Sequence, residues 1–228
     1  LHLLILFYLA AIFCEFVSPY SPYRRNAALI NAPPQAVRLI GEDGIHLRPF
    51  VYGVSGGLQD ETWTRVYEED RARQIKIRFF VRGDSYKLLG LIPWDRHLFG
   101  SAGGEPVFLL GADHLGRDLL SRIIYGSRVS LSIGLVGVFL SMVIGCAMGG
   151  VSGYFGGTVD NIIQRTIETL LSLPTLPLWM GLSAAVPTTW SPIKVYFGMV
   201  VILSILGWAG LARVVRGKNI SLREEDFA

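Results

Sequence analysis

The chain has 228 residues, of which 51% are hydrophobic and 17% are charged, and its formal net charge is +3. A typical soluble domain carries about 25% charged residues. The composition therefore excludes a uniformly soluble globule and a disordered chain, and the two cysteines exclude a small disulfide scaffold. The small net charge, without a basic stripe bearing interleaved aromatic residues, predicts no nucleic acid partner.

The charges are concentrated in one part of the chain. Residues 18–128 hold 27 of the 39 Lys, Arg, Asp and Glu residues, whereas 129–159, 169–193 and 195–212 hold none. A helix needs about 20 apolar residues to cross a bilayer, so the pattern predicts a multi-pass membrane protein with one charged lobe. The chain begins within an apolar run and stops after a charged string. Both ends are therefore expected to lie inside a longer protein.

The N-terminal half is predicted to be a membrane span followed by an outer lobe. Residues 1–18 are assigned to part of a first transmembrane helix, and 19–110 to a small extracytoplasmic α+β lobe. Residues 111–128 follow as an interfacial segment. Its stretch 115–125 mixes polar and apolar residues, which is typical of an amphipathic helix at the membrane surface.

Local patterns within the lobe predict its elements. Segments 45–54 and 75–82 alternate partly between apolar and polar residues and predict strands. Gly83-Asp84 predicts a turn after the second strand. Asp60 is a good N-cap residue and predicts a short helix through Tyr67.

Residues 129–212 are predicted to form a membrane core with three helices. The second span of the chain covers 129–151 and is expected to end near the glycines of 153–157. The fourth span covers 195–212, and 213–228 begin a cytoplasmic region. Charge-free apolar stretches of this length match the hydrocarbon thickness of a bilayer.

The third span, 170–186, contains Pro174 and Pro177. Proline breaks are tolerated in membrane helices where neighbouring helices or water satisfy the freed carbonyl groups. Two interpretations remain open for this span. It is either a broken or re-entrant helix that lines a cavity, or an ordinary Pro-kinked crossing.

Small residues recur every four positions in the second span, at Gly145, Gly149 and Gly153. This spacing places them on one helix face and allows another backbone to approach closely. The stripe predicts tight packing in a bundle or dimer, against the alternative that glycine is merely common in membrane helices.

The orientation is predicted from Lys and Arg residues in the short loops. They place 154–165 and 213–228 in the cytoplasm, and 18–128 outside. Three arginines on the outer side conflict with this rule, although long translocated loops are largely exempt from it. These residues are Arg117, Arg122 and Arg128.

Catalytic signals are weak. Gly53–Gly57 has the spacing of a nucleophile elbow but lacks the strand–helix context of that motif. A second string, Gly150-Val151-Ser152-Gly153, resembles the motif of intramembrane serine proteases. All four histidines precede Ser152 in the chain, so no later base is present. There is no phosphate-binding loop and no metal-ligand cluster. No bound cofactor or metal is therefore expected.

Long motifs carry a resemblance to a known family. Residues 111–131 (GADHLGRDLLSRIIYGSRVSL) resemble the signature before a core span in permease subunits of dipeptide and oligopeptide ABC importers. The stretches 153–160, 207–213 and 221–228 agree in the same order. Three lobe stretches, 77–84, 86–91 and 97–100, resemble the long-loop subgroup. The matching positions are Gly111, Asp113, Gly116, Arg117, Asp118, Ser121, Arg122, Gly126, Arg128, Gly153, Gly156, Asp160, Arg165, Pro174, Gly207, Arg213 and Arg216.

The resemblance implies a fold, a function and partners. The expected fold is an all-α, MetI-like permease core, with about four spans present and the α+β lobe inserted between spans 1 and 2. The expected function is a non-enzymatic, transmembrane permease subunit of a bacterial inner-membrane importer of peptides. It would pair with a homologous sister permease, two cytoplasmic subunits that bind ATP, and an extracytoplasmic solute-binding protein. The outer lobe would contact that binding protein or cap the pore.

The resemblance also implies a coupling region at the C-terminal end. The family's coupling helix docks on the ATPase, and its approach corresponds to Ser221, Leu222, Arg223, Glu224, Glu225, Asp226, Phe227 and Ala228. Ser221 and Glu224 have the spacing of a capping box, which predicts that a new helix begins there. A plain solvated charged helix is the alternative. The family's coupling motif and last two spans are expected after Ala228, so this chain alone should not transport.

Two other functions stay open from the residues alone. One is an intramembrane enzyme of the serine-protease type, centred on Ser152. The other is a membrane-anchored scaffold or sensor that uses the outer lobe as a binding module.

Overall fold

The computed structural model describes residues 1–41, 44–58, 65–101 and 103–224. The chain forms two compact units, 1–129 and 130–228. Each unit has its own buried clusters of apolar side chains.

The first apolar run forms two helices rather than one. Helix α1 spans His2–Ile12 and α2 spans Cys14–Val17. The break lies at Phe13, which has φ −97° and ψ 32°. At 1.5 Å per residue the 11 residues of α1 cover only about 16 Å, which is less than a bilayer crossing.

The outer lobe is an antiparallel sheet with the strand order β1-β2-β3-β4. The strands span Arg38–Gly41, Gly44–Leu58, Arg65–Leu88 and Ile92–Ser101. The predicted strands 45–54 and 75–82 lie within β2 and β3. Because side chains alternate between the faces of a strand, one face buries Val51, Ile75 and Ile77, which pack with Val107.

Three expectations for the lobe are wrong or incomplete. The only helical element within the described part of the lobe is a short 3₁₀ turn, Ala27–Leu29, so the α+β expectation is not confirmed. The predicted helix 60–67 begins in residues outside the described ranges, and its end, 65–67, belongs to β3. Strand β4 was not predicted, because Pro93 and the adjacent charged residues Asp95 and Arg96 interrupt its alternation.

The predicted turn at Gly83-Asp84 is wrong. These residues lie inside β3, where the pairing with β4 shifts register between Arg82 and Tyr86. The chain instead reverses at Leu89 and Gly90, whose φ angles of 51° and 75° lie in the left-handed region. Glycine and aspartate favour a strand irregularity as well as a turn, so this pattern alone did not distinguish the two.

Helix α3 spans Leu119–Phe155 and is 37 residues long. The predicted amphipathic helix therefore begins at Leu119 rather than at 115, and it continues into the second span without a break. The helix ends where predicted. The next two residues, Gly156 and Gly157, have φ angles of 62° and 53°, which glycine adopts without a Cβ clash.

The expected third span is not a single crossing helix. Helix α4 spans Gly157–Ser172 and α5 spans Thr175–Ala184. Leu173 and Pro174, between them, are not helical. The ten residues of α5 cover about 15 Å, or half of a ~30 Å hydrocarbon core. Pro177 lies in the first turn of α5, where its missing N–H removes no helical hydrogen bond. This geometry favours the broken or re-entrant interpretation.

Helix α6 spans Pro192–Glu224 as one continuous element. It contains the predicted fourth span but continues past it, so Ser221 lies inside α6 and the prediction that it caps a new helix is wrong. Two helices of the described chain, 119–155 and 192–222, are long and apolar enough to cross a bilayer. The described residues therefore form an apolar helical unit and a sheet, and two helices of spanning length stand where about four spans, the first of them partial, were expected.

Candidate coupling site

The glycine stripe of α3 lies against α6. A Cβ atom added to Gly145 would lie 3.0 Å from the carbonyl oxygen of Trp208, and one added to Gly149 would lie 2.5 Å from that of Ala212. At Gly153 the added atom would lie 2.7 Å from the Cβ atom of Asn219. The two backbones therefore approach closely along three successive turns, as small-residue spacing permits.

Alanine at Gly149 is expected to destabilise the packing of α3 against α6 by about 1–3 kcal/mol, because the new methyl group overlaps backbone atoms that cannot rotate away. The neighbouring Gly150 is the matched control, since its added Cβ would meet only the side-chain amide of Asn219 at 3.8 Å. Thermal unfolding in detergent compares G149A with G150A. Equal melting temperatures would contradict the close approach.

Close to the end of this stripe, an ion pair joins α4 to α6. The guanidinium of Arg216 donates to both carboxylate oxygens of Asp160, from Nε at 2.6 Å and from Nη2 at 2.5 Å. The hydroxyl of Ser152 in α3 donates to the same carboxylate, and the Gln164 amide donates to Ser152 Oγ at 3.3 Å. We call these four residues the clamp.

The clamp is partly shielded from solvent. The side chains of Arg216 and Asp160 are 32% and 14% exposed, and Ser152 is buried. The hydrogen bonds from Arg216 lower the pKa of Asp160 and outweigh the opposing effect of burial. A bidentate guanidinium–carboxylate pair fixes orientation as well as charge, so the clamp ties α3, α4 and α6 together in one geometry.

The clamp argues against a nucleophilic Ser152. Its hydroxyl proton is committed to Asp160, and Asp160 is itself held by Arg216. A serine nucleophile needs a neighbouring base that is free to accept the proton. None of the four histidines belongs to the unit 130–228, so the intramembrane protease alternative is not favoured.

The other predicted residues of this unit lie apart from the clamp. Arg165 makes an exposed pair with Glu168 at 3.4 Å, and Pro174 caps the start of α5. A Cβ atom on Gly207 would lie 2.6 Å from Ser141 Oγ, so this glycine is a further contact of α6 with α3. Arg213 is exposed on α6.

A second set of predicted residues forms a loop before α3. The carboxylate of Asp113 accepts hydrogen bonds from the backbone N–H groups of Leu115 and Arg117, at 2.8 and 2.9 Å. It also accepts from the guanidinium groups of Arg117 and Arg122, at 2.8 and 2.5 Å. Burial alone would raise the pKa of Asp113, but these donors outweigh it and hold the pKa well below its usual range.

The same loop is fixed by backbone contacts and a helix cap. Gly116 has a φ of 71°, and an added Cβ atom would overlap the carbonyl oxygen of Asn26. Asp118 accepts from the backbone N–H of Ser121 at 2.8 Å and from its hydroxyl at 2.5 Å, and so caps α3. Gly111 also has a positive φ, of 79°, whereas an added Cβ at Gly126 would meet open space.

Arg128 secures the break between α1 and α2. Its guanidinium binds the Glu15 carboxylate through two nitrogens at 2.6 Å and also donates to the carbonyl groups of Ala11 and Ile12. These carbonyls lie at the end of α1, where helical partners are missing. Arg117, Arg122 and Arg128 thus all bind carboxylates.

The structure describes only part of the predicted approach to the coupling helix, residues 221–228. Ser221 and Leu222 are exposed residues within α6, and the backbone of Arg223 and Glu224 continues the helix. Glu225, Asp226, Phe227 and Ala228 lie outside the described residues. The eight residues of α6 that follow Arg216, up to Glu224, extend about 12 Å beyond the clamp.

Comparison with known proteins gives the decisive observation. Residues 135–228 match the family model of the binding-protein-dependent transport system inner membrane component. The matched stretch covers less than half of the chain. We refer to 135–228 as the permease segment.

The chain is also similar to individual permease proteins. The dipeptide transport system permease protein DppC of Haemophilus influenzae is 51% identical over 76 residues, which are 33% of this chain and 26% of that protein. DppC of Bacillus subtilis is 37% identical over 117 residues, or 51% and 35% of the two chains. The oligopeptide transport system permease protein OppC of H. influenzae is 37% identical over 123 residues, or 54% and 38%. The chain thus spans about a third of the length of these relatives, and the resemblance predicted from its motifs is confirmed.

The clamp lies wholly within the permease segment, and sequence reasoning found it only in part. Asp160 and Arg216 were predicted as family positions, but the pair spans 56 residues and no local spacing links them. Gln164 was missed. By contrast, Asp113 and Arg117 are four residues apart, a spacing at which charged side chains commonly meet.

Proposed function

We propose that this chain is part of a transmembrane permease subunit of an ATP-driven, binding-protein-dependent importer of peptides. The observation that carries the proposal is the family match of the permease segment, 135–228. Relatives are dipeptide and oligopeptide permease proteins, which supports peptides as the cargo. The subunit would be a multi-pass component of the bacterial inner membrane.

The proposed subunit works with partners. A homologous sister permease forms the other half of the pathway, and two cytoplasmic subunits bind and hydrolyse ATP. An extracytoplasmic binding protein delivers the peptide, and the lobe formed by β1–β4 contacts it or caps the pathway. The chain itself would hold no cofactor, since ATP belongs to the partners.

The clamp suggests how ATP binding reaches the membrane helices. The C-terminal end of α6, Ser221–Glu224, leads into the proposed coupling region. Because Arg216 donates to Asp160, and Asp160 also accepts from Ser152, a displacement of this end pulls α4 and α3 with α6. ATP shifts the equilibrium between two states of the importer only if it binds one state more tightly than the other. The clamp would transmit the resulting movement of the ATPases to α3 and α4.

Peptide uptake by cells tests the proposed function. A strain that needs imported peptides and lacks this gene should regain growth and uptake of radiolabelled dipeptide when the full-length gene is restored. G150A should restore uptake as well as the wild type. Normal insertion of the protein in the membrane without any restored uptake of dipeptides or longer peptides would contradict the proposal.

A further inference from the structure

A second feature of the molecule lies on the sheet of the outer lobe. A cavity of about 300 Å³ opens between β2 and β3. Its lining residues are His46, Leu47, Arg48 and Phe50 on β2 and Gln74, Lys76 and Arg78 on β3. The opposite face of the same strands holds the buried cluster of Val51, Ile75 and Ile77.

The cavity has a rigid floor and a cationic rim. Phe50 is buried at its base, where its ring meets the ring of His46 edge-on at 5.0 Å. Lys76 pairs directly with Phe50 in the strand register, and Arg48, Lys76 and Arg78 are exposed around it. Phe50 therefore holds these cations around one point rather than leaving them dispersed over the surface.

The three cations have no carboxylate partners among the residues that the structure describes. Elsewhere on this sheet, arginines pair with acids, as Arg38 does with Glu69 and Arg73 with Glu105. In addition, Nε2 of His46 is buried without a hydrogen-bond partner. Adjacent like charges on one sheet face are destabilising, so an anion between them would relieve a cost that the folded lobe otherwise carries.

The position of the cavity indicates which anion. Phe80, two residues beyond Arg78, contacts Phe16 of α2 with ring centroids 6.0 Å apart. Two strand residues span about 7 Å, so Arg78 lies close to α2, the end of the apolar N-terminal helices. Leu47, fully exposed beside the cavity, provides an apolar contact next to the charges, as found in segments that rest on a lipid surface.

We propose that Arg48, Lys76 and Arg78, with His46, form a binding site for the phosphate group of an anionic phospholipid at the outer membrane surface. Arginine guanidinium groups bind phosphate oxygens in pairs, and lysine adds a point charge. The apolar side chain of Leu47 would rest against the lipid chains. The site is independent of transport and would anchor the outer lobe at the membrane.

The test uses the full-length protein purified in detergent and transferred to nanodiscs. Native mass spectrometry counts the phosphatidylglycerol molecules retained in competition with neutral phosphatidylcholine. The triple variant R48Q/K76Q/R78Q is expected to bind phosphatidylglycerol about tenfold more weakly or worse, because each cation near a membrane surface contributes to anionic lipid binding. The matched control R25Q/K87Q/R96Q removes the same charge from other exposed positions of unit 1–129 and should retain wild-type binding.

A second arm separates the lipid from free phosphate. Inorganic phosphate at millimolar concentration should not displace phosphatidylglycerol from the wild-type protein, since it lacks the apolar contact. Equal binding by the triple variant and the control would overturn the proposal. Displacement by inorganic phosphate alone would overturn the lipid as its ligand. Circular dichroism of both variants confirms that the sheet is intact, and neither outcome depends on peptide uptake.

Discussion

Alanine at Asp160 is expected to reduce ATP-driven peptide uptake by about tenfold, while the protein still inserts into the membrane. The substitution removes the carboxylate that holds Arg216 and Ser152, so α6 loses its ion pair with α4 and the link through that pair to Ser152 of α3. Allosteric coupling energies of 1–3 kcal/mol correspond to about 5–150-fold effects. Uptake of radiolabelled dipeptide at matched membrane expression is the measurement.

The matched control for this prediction is the neighbouring pair on α4. Arg165 and Glu168 are 86% and 55% exposed, and exposed pairs contribute about 0–1 kcal/mol. E168A should therefore import peptide like the wild type. A double-mutant cycle of D160A and R216A should give an interaction energy of about 0.5–3 kcal/mol for the clamp. Unchanged uptake in D160A would show that the clamp plays no part in coupling.

Alanine at Asp113 is expected to lower the free energy of unfolding by about 3–5 kcal/mol, the largest stability effect that we predict. Its side chain is 6% exposed and binds both Arg117 and Arg122. Removal of one partner from a buried pair leaves uncompensated charge. D95A is the control, because Asp95 is 52% exposed and lies 3.7 Å from Arg82. Thermal unfolding in detergent should separate the two variants clearly, and similar melting temperatures would contradict the assigned role.

The same residue predicts a dependence of stability on pH. Because the pKa of Asp113 is lower in the folded protein, its stabilisation is complete above the usual value of about 3.9 and is lost as the pH falls below it. Burial raises the pKa of Asp118. Protonation of Asp118 at low pH therefore favours the folded protein and opposes the effect of Asp113. The comparison is therefore between wild type and D113N. Melting temperatures measured between pH 3 and pH 6 should fall less steeply in D113N, and parallel curves would contradict the prediction.

Periodicity predicted the elements whose signals are local. The alternation of 45–54 and 75–82 identified two strands, and the glycines at 156 and 157 marked the end of α3. The same kind of signal misled at Gly83-Asp84, because a β-bulge and a turn use similar residues. Ser221 also misled, since helix α6 continues through a possible N-cap when no break precedes it.

Contacts between distant parts of the sequence could not be predicted. Arg128 was recognised as a motif residue, but its binding to Glu15 depends on the placement of α1. The third span appeared to be a kinked crossing or a re-entrant helix, and only the break before Pro174 distinguished them. Ser152 resembled a nucleophile because its bond to Asp160 has no signature in the sequence.

Reconstituted transport tests the proposed coupling most directly. The full-length subunit, its sister permease, the two ATPases and the binding protein are placed in proteoliposomes with peptide on the binding-protein side and ATP on the ATPase side. We predict peptide accumulation that requires ATP hydrolysis, falls about tenfold in D160A, and is unchanged in E168A. Accumulation without ATP, or equal ATP-driven accumulation in D160A and wild type, would contradict the account.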